Sequence, residues 1–344
     1  MKLKLLSVFL LLSNLSLTAQ EFKTPVDYLT FINNEQLQIS KSTWKYTQAV
    51  AHSKSARRID ATRKQLIKSI EVSSKKIENL TNGYKGDVEY RDQTVHFFDI
   101  RKKSLNEEYE KLIDMQEVAE QSYDAMEAYL LTRDLVNKKL DAENENMEKA
   151  FNAFALKYNI TINNEESDLS KKMQLSNEVF DYHTVLYLIF FKVNFTDNNL
   201  SKAIEAKDLG KIQQNASSLL LFANEGLEKI KTIAPFQKDA SLLNATKDAL
   251  EYYKKEAEQF VPNVVSFLMF NDKFENAKNT LEAKSAKDRT KEEIDNYNVM
   301  VKQYNKEVDN FNKANNANFQ EKNKNINSIN TIGDNFISRH IPND

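Results

Sequence analysis

The scarcity of glycine and proline constrains this chain more than any other feature. Its 344 residues include five Gly and four Pro, where ordinary usage of about 7% and 5% would supply several times as many of each. Few tight turns can be built, which argues against a many-stranded sheet. Lys, Glu, Asn, Leu and Ala dominate instead, a composition that suits long solvated helices. The expected fold class is all-α: an elongated antiparallel bundle of long helices with coiled-coil-like seams.

Met1–Gln20 reads as a secretory signal peptide. Lys2 and Lys4 form its charged start and Leu5–Leu17 its apolar core. Thr18-Ala19-Gln20 is the small-residue exit, with cleavage expected after Ala19 or Gln20. The apolar core is shorter than the roughly 20 residues a membrane span needs, and Ser13, Asn14 and Ser16 interrupt it. The chain has no Cys, so disulfides, thiolate metal sites, thiol nucleophiles and a lipid-modified N-terminal Cys are all excluded. A formal net charge of −2 gives no reason to expect nucleic acid or an anionic membrane as partner.

Thr24-Pro25 is a good helix start, and one helix is expected from there to about Leu80. Thr81–Asp87, with Asn82-Gly83 inside it, is the clearest turn. A second long helix is expected from Val88 or Asp92 to Tyr158. Its apolar seam passes through Phe98, Leu105, Tyr109, Leu112, Ala119, Tyr123, Met126, Leu130, Leu140, Met147, Phe151, Phe154 and Tyr158, a register built on steps of three and four. Asn159–Ser167 is the next break. The organisation read from these signals is 1–20 signal peptide, 21–160 first long helical hairpin and 161–344 second hairpin with kinks. In the second part an interruption is expected at Thr196–Asn199, a kink near Gly210, a turn at Pro235, a kink at Pro262 and a weak point at Ala283–Arg289. The last helix carries a seam from Ile294 to Phe311 and is expected to fray in its Asn-rich end.

Two repeated hairpins are one arrangement this pattern allows. Tyr28 then matches Tyr187, Leu66 matches Leu227, Phe97-Phe98 matches Tyr252-Tyr253, and Phe154 matches Phe319, at a common spacing near 160 residues.

The basic stretch Trp44–Ile70 and the acidic stretch Leu105–Leu131 are complementary. Folding about the turn near Tyr84 sets Trp44 near Met126, His52 near Val118 and Arg57 near Asp114. Arg63 then meets the face carrying Asp114, Glu117 and Glu120. Interhelical ion pairing that sets register accounts for these charges more simply than a polyanion site. Any binding site is expected along this seam, at Trp44, Tyr46, His52, Lys54, Arg57, Glu120, Tyr123 and Asp124, where polar and aromatic groups concentrate.

Chemistry is otherwise thinly signalled. Glu120, Asp124 and Glu127 share a helix face. No Glu stands three residues before any of the four His, as a helical di-iron site requires, and no HExxH, P-loop, GxGxxG or GxSxG occurs. No metal, no cofactor and no catalysis are expected.

Three strings carry a resemblance. AHSKSAR (Ala51–Arg57) with Trp44 and Tyr46 before it, GDVEYRD (Gly86–Asp92) and AEQSYDAMEAY (Ala119–Tyr129) resemble a family described as surface proteins of Bacteroidetes and spirochaetes. The resemblance covers mainly the first half and implies an exported, envelope-associated location. The functional expectation is therefore an exported binding or structural module of the cell envelope. Its ligand is unspecified, its partner is an envelope or extracellular protein or ligand, and its oligomeric state is left open. The rival reading is a helical pore-former resembling cytolysin A-type toxins, with Val185–Phe195 or Phe260–Phe270 as the membrane element.

Overall fold

The computed structural model describes residues 22–121, 123–163 and 166–343, with side chains for all but 108–121, 123–124 and 127–136. The leader therefore lies outside the described residues, as do the side chains of Asp114, Glu117, Glu120, Tyr123 and Asp124. No strand occurs among the described residues, so the all-α expectation holds. The helices are α1 (Pro25–His52), α2 (Ala56–Glu78), α3 (Glu89–Gln121), α4 (Tyr123–Lys157), α5 (Asp168–Glu205), α6 (Leu209–Ile230), α7 (Ser241–Lys255), α8 (Val261–Glu282) and α9 (Lys291–His340).

Several expected helices are broken differently. The first does not run to Leu80: α1 ends at His52, and α2 turns back antiparallel to it. Ser73 and Lys76 of α2 both reach Glu35 of α1, at 2.8 Å each. The break is Ser53-Lys54-Ser55, where the Ser53 hydroxyl accepts the Ser55 N–H at 3.1 Å. A local side-chain bond of this kind competes with helix continuation. The second expected helix is also two, α3 and α4. They run antiparallel, since Tyr90 packs on Phe151 and His96 approaches Glu143 at 3.6 Å. Conversely, α5 runs unbroken through Thr196–Asn199. Thr196 there bonds the Lys192 carbonyl instead of ending the helix. The break falls at Ala206–Asp208, where Asp208 caps α6 by accepting the Lys211 N–H.

Pro262 produces a local widening. A π turn, Glu256–Phe260, precedes it, and the Val261 N–H reaches back to the Glu256 carbonyl. The wide turn absorbs the donor and the space that the Pro ring removes from an α-helix. Ala283–Arg289 is a true break, and a Thr290–Glu293 capping box starts α9 after it. The expected fraying does not occur: α9 continues to His340 because Ile329, Gly333 and Phe336 are buried against the rest of its unit.

The chain forms two compact units. The first holds 22–46, 57–111 and 132–163; the second holds 47–56, 112–121, 123–131 and 166–343. Each contains the same construction. In the first unit, Tyr84-Lys85-Gly86-Asp87 forms a tight turn with positive φ at both central residues (51° and 88°). In the second, Phe236-Gln237-Lys238-Asp239 does the same (46° and 72°). The aromatic residue of each turn plugs a ring cluster. Tyr84 lies 6.1 Å from Tyr28, 6.0 Å from Phe154 and 5.1 Å from Tyr158. Phe236 lies 5.4 Å from Tyr182, 5.6 Å from Phe336 and 5.2 Å from His340. The Asp of each turn takes a cation from the last helix, Lys157 to Asp87 at 2.7 Å and Arg339 to Asp239 at 2.6 Å.

The correspondence extends along the helices. Leu66, Ile70, Ser73 and Ile77 of α2 match Leu219, Ala223, Gly226 and Ile230 of α6, all buried. Thr94 and Thr246 are both fully buried and bond the carbonyls of Tyr90 and Leu242. The two units are thus a structural repeat. Its register is not the one expected from apolar strings: Tyr28 matches Tyr182 rather than Tyr187, and Phe154 matches Phe336 rather than Phe319. Phe319 is 61% exposed and has no place in the core.

The second turn carries strain that the first relieves. Lys238 stands left-handed where the first turn has Gly86, and a side chain in that region costs on the order of 1 kcal/mol. Lys238→Gly should therefore raise stability by roughly 0.5–1 kcal/mol, read as a higher midpoint in thermal unfolding. A lower midpoint would show that the turn is held by contacts of the Lys side chain.

Candidate functional site

The residues expected to form one seam do not share one setting. Trp44 and Tyr46, in the first unit, are buried and half-buried, and Arg57 of the same unit is exposed. His52 and Lys54 belong to the second unit, where Lys54 is 3.8 Å from Asp334 and the Ser338 hydroxyl donates to the Ala51 carbonyl at 3.1 Å. The cause is the break at Ser53–Ser55. The facing rule read about Tyr84 holds only for α2 against α3, where Ile70 and Ser74 share a groove with Phe98 and His96. It cannot extend to Trp44 and His52, because α1 has already turned back. Arg63 is buried and engages Asp60 of its own helix at 3.0 Å.

That α2–α3 groove encloses about 600 Å³. Ile70, Val95 and Phe98 give it an apolar floor, while Glu71, Glu78, Asp92 and Asp99 line it with carboxylates. Its two cations are already engaged. Arg91 donates to the carbonyls of Leu80 and Thr81, at 2.7 Å each, and contacts Asp92; Lys102 lies 3.7 Å from Asp99. Hydrogen bonding from Lys103 holds Asp99 below its usual pKa. His96 stands on the rim, exposed. The groove thus presents anionic oxygens around an apolar strip, a surface for a chain segment with basic and apolar side chains.

The second unit buries a polar cluster that the sequence did not announce. Asp197 of α5 and Glu256 at the start of the π turn are almost wholly enclosed. Lys322 of α9 reaches Asp197 at 2.6 Å and Glu256 at 4.0 Å. Asn318 donates to Glu256 at 2.6 Å, and Lys322 also donates to Ser201 at 2.9 Å. Tyr252 donates to Asn318 and Tyr253 to Asn194. Burial pushes both phenols far above the usual tyrosine range. Burial, and then the neighbouring Glu256 charge, push the Asp197 carboxyl up to about 7 against the pull of Lys322. Asp197 therefore keeps its proton into the mildly acidic range, with the Lys322 ammonium beside it. Such a cluster ties α5, the π turn and α9 to one register.

At the repeated turn, burial works to raise Asp239. Hydrogen bonds from Ser241 and His340 and the charge of Arg339 outweigh it and hold the carboxyl well below the usual range.

No group of three or more His, Asp or Glu able to hold a metal occurs among the described residues. No helix among them is long and apolar enough to cross a membrane. Of the two apolar segments considered above, Val185–Phe195 buries Leu186, Ile189, Phe190, Phe191 and Val193 in the core of α5, and Phe260–Phe270 buries Val261, Val264 and Leu268. Comparison of the chain with protein-family models, curated proteins and solved structures finds no match.

Proposed function

We propose that this chain is an exported module of the cell envelope that binds a protein partner and carries out no catalysis. The observation that carries the reading is the α2–α3 groove: about 600 Å³, apolar-floored and carboxylate-lined, a size within the range of specific binding clefts. Residue pairs already in place build it, so a partner meets a pre-formed surface and loses less to ordering. The leader-like Met1–Gln20 supports export, as does the resemblance of Ala51–Arg57, Gly86–Asp92 and Ala119–Tyr129 to surface proteins. The partner segment is basic and apolar.

Two measurements test this. Fractionation of cells expressing the full chain should recover it outside the cytoplasm with Gln20 or Glu21 at its N-terminus; recovery in the cytoplasm with Met1 intact sinks the export half. A photo-crosslinking residue at Ser74, inside the groove, should give one discrete adduct in intact cells. Glu71→Lys with Asp99→Lys should reduce that adduct at least about tenfold, because each reversal sets like charge against a basic segment. An adduct of unchanged yield in the reversed protein sinks the binding half.

A further inference from the structure

The repeat exposes a difference between its two copies. In the first unit the Phe151 ring stands 5.5 Å from the Tyr90 ring. The Tyr90 hydroxyl donates to Asn33 and accepts from Gln36, at 3.3 Å each. In the register set by the turns and ring clusters, the second unit has Gly333 in place of Phe151 and Leu242 in place of Tyr90. Tyr187 and Phe190 replace Asn33 and Gln36, which returns part of the lost ring volume but on the opposite wall. His183 replaces Leu29.

The exchange leaves a cavity of about 220 Å³ lined by His183, Tyr187, Phe190, Leu242, Gly333 and Asp334 among others. An apolar protein cavity of about 150 Å³ is enough to take up benzene. A Cβ at position 333 would stand 3.0 Å from His183 Nε2, so a side chain there must push the imidazole aside by a few tenths of an ångström. Tyr187 stacks on His183 with the planes 11° apart and fixes its orientation.

We propose that this cavity is a binding site for a small single-ring phenol, its ring packing between the aromatic walls and its hydroxyl bonding to His183. The walls supply two aromatic faces, Tyr187 and Phe190, for a ring to pack against. Burial lowers the His183 pKa, against the pull of Asp334. The neutral imidazole keeps one ring nitrogen as acceptor, which suits a phenolic O–H. This site lies in the second unit, on residues separate from the α2–α3 groove, and does not depend on the function proposed above.

Phenol itself is the probe. Titrated into the full chain labelled at its histidines, phenol should give saturable shifts of the His183 imidazole resonances, and benzene should bind about tenfold more weakly for want of one hydrogen bond. His183→Leu copies Leu29 of the first unit and keeps the cavity. It should lose about tenfold in phenol affinity and leave benzene affinity unchanged. Gly333→Phe should abolish binding of both; should that variant fail to fold, His183→Leu decides. Equal phenol affinity in the wild-type and His183→Leu proteins, or no saturable shift in the wild type, overturns the proposal.

Discussion

Lys322→Met is expected to cost the second unit about 3–5 kcal/mol, the range for removing one partner of a buried charge cluster. Asp197 is fully buried, Glu256 is 2% exposed at its side chain, and Lys322 supplies the cation 2.6 Å from Asp197. With Asp197 holding its proton, Lys322 is the cation that faces the enclosed carboxyls. Met has nearly the volume of Lys but leaves a net negative charge enclosed. Asp197→Asn added to Lys322→Met should recover part of the loss, and a double-mutant cycle gives the coupling. The pH dependence follows from the same proton. An unfolded Asp ionises near its ordinary value of 3.8, while the folded Asp197 holds its proton up to about 7. Between these values folding takes up a proton at Asp197, so the stability contributed by this group is full below about pH 4 and is lost as pH rises to about 7. Each unit of that displacement is about 1.4 kcal/mol. Hydrogen exchange of peptides from α5 and α9 at pH 5 and pH 8 reads both effects. In Asp197→Asn the protection difference should shrink. Identical protection at the two pH values in the wild type would show that Asp197 does not hold its proton in the folded chain.

The all-α fold was legible because five glycines and four prolines in 344 residues leave little else. Thr81–Asp87 was legible as a turn because Gly83 is required there: its φ is +53°, and an added Cβ would lie 2.0 Å from the Asp87 carbonyl oxygen. The reversals at Ser53–Ser55 and between α3 and α4 were not legible. Neither contains Gly or Pro, and in each case the apolar period runs on across the break, since both arms of a hairpin present the same kind of face inward. The interruption expected at Thr196–Asn199 failed for the opposite reason. Those polar residues are held inside a helix by Thr196 back-bonding and by Lys322 from far along the chain. The candidate residues rested on the same reading: a helix continued through Ser53–Ser55 aligned Trp44, His52 and Arg57 on one seam, whereas Trp44 and His52 lie on α1 and Arg57 on α2. The repeat was visible, but apolar strings are a poor ruler in helices that all share one period. The discriminating signal was the pair of turns, Tyr84-Lys-Gly-Asp and Phe236-Gln-Lys-Asp, an aromatic three residues before an Asp.

Truncating the ring at the centre of either cluster should be about equally costly, roughly 3–5 kcal/mol for Phe154→Ala or Phe336→Ala. Phe154 is 3% exposed and packs 5.2 Å from Tyr28 and 4.5 Å from Tyr158. Phe336 is fully buried, 5.5 Å from Tyr182 and 4.7 Å from His340. Phe154 bridges four other rings and Phe336 three, and each packs against the aromatic residue of its turn. Removing it costs the transfer energy of the ring and opens a void that the surrounding rings fill only in part. The turn aspartates should feel the loss as well, because Lys157 and Arg339 reach Asp87 and Asp239 from helix positions three residues past each Phe. Trp44 is the single tryptophan and lies buried in the first unit, so the urea midpoint of its fluorescence reads Phe154→Ala directly. Hydrogen exchange of the peptide spanning Phe236–Asp239 reads Phe336→Ala. Matching losses support one construction built twice. A cost below about 1 kcal/mol, the range of surface substitutions, at one position with the full cost at the other would mean that the two clusters share geometry but not a structural role.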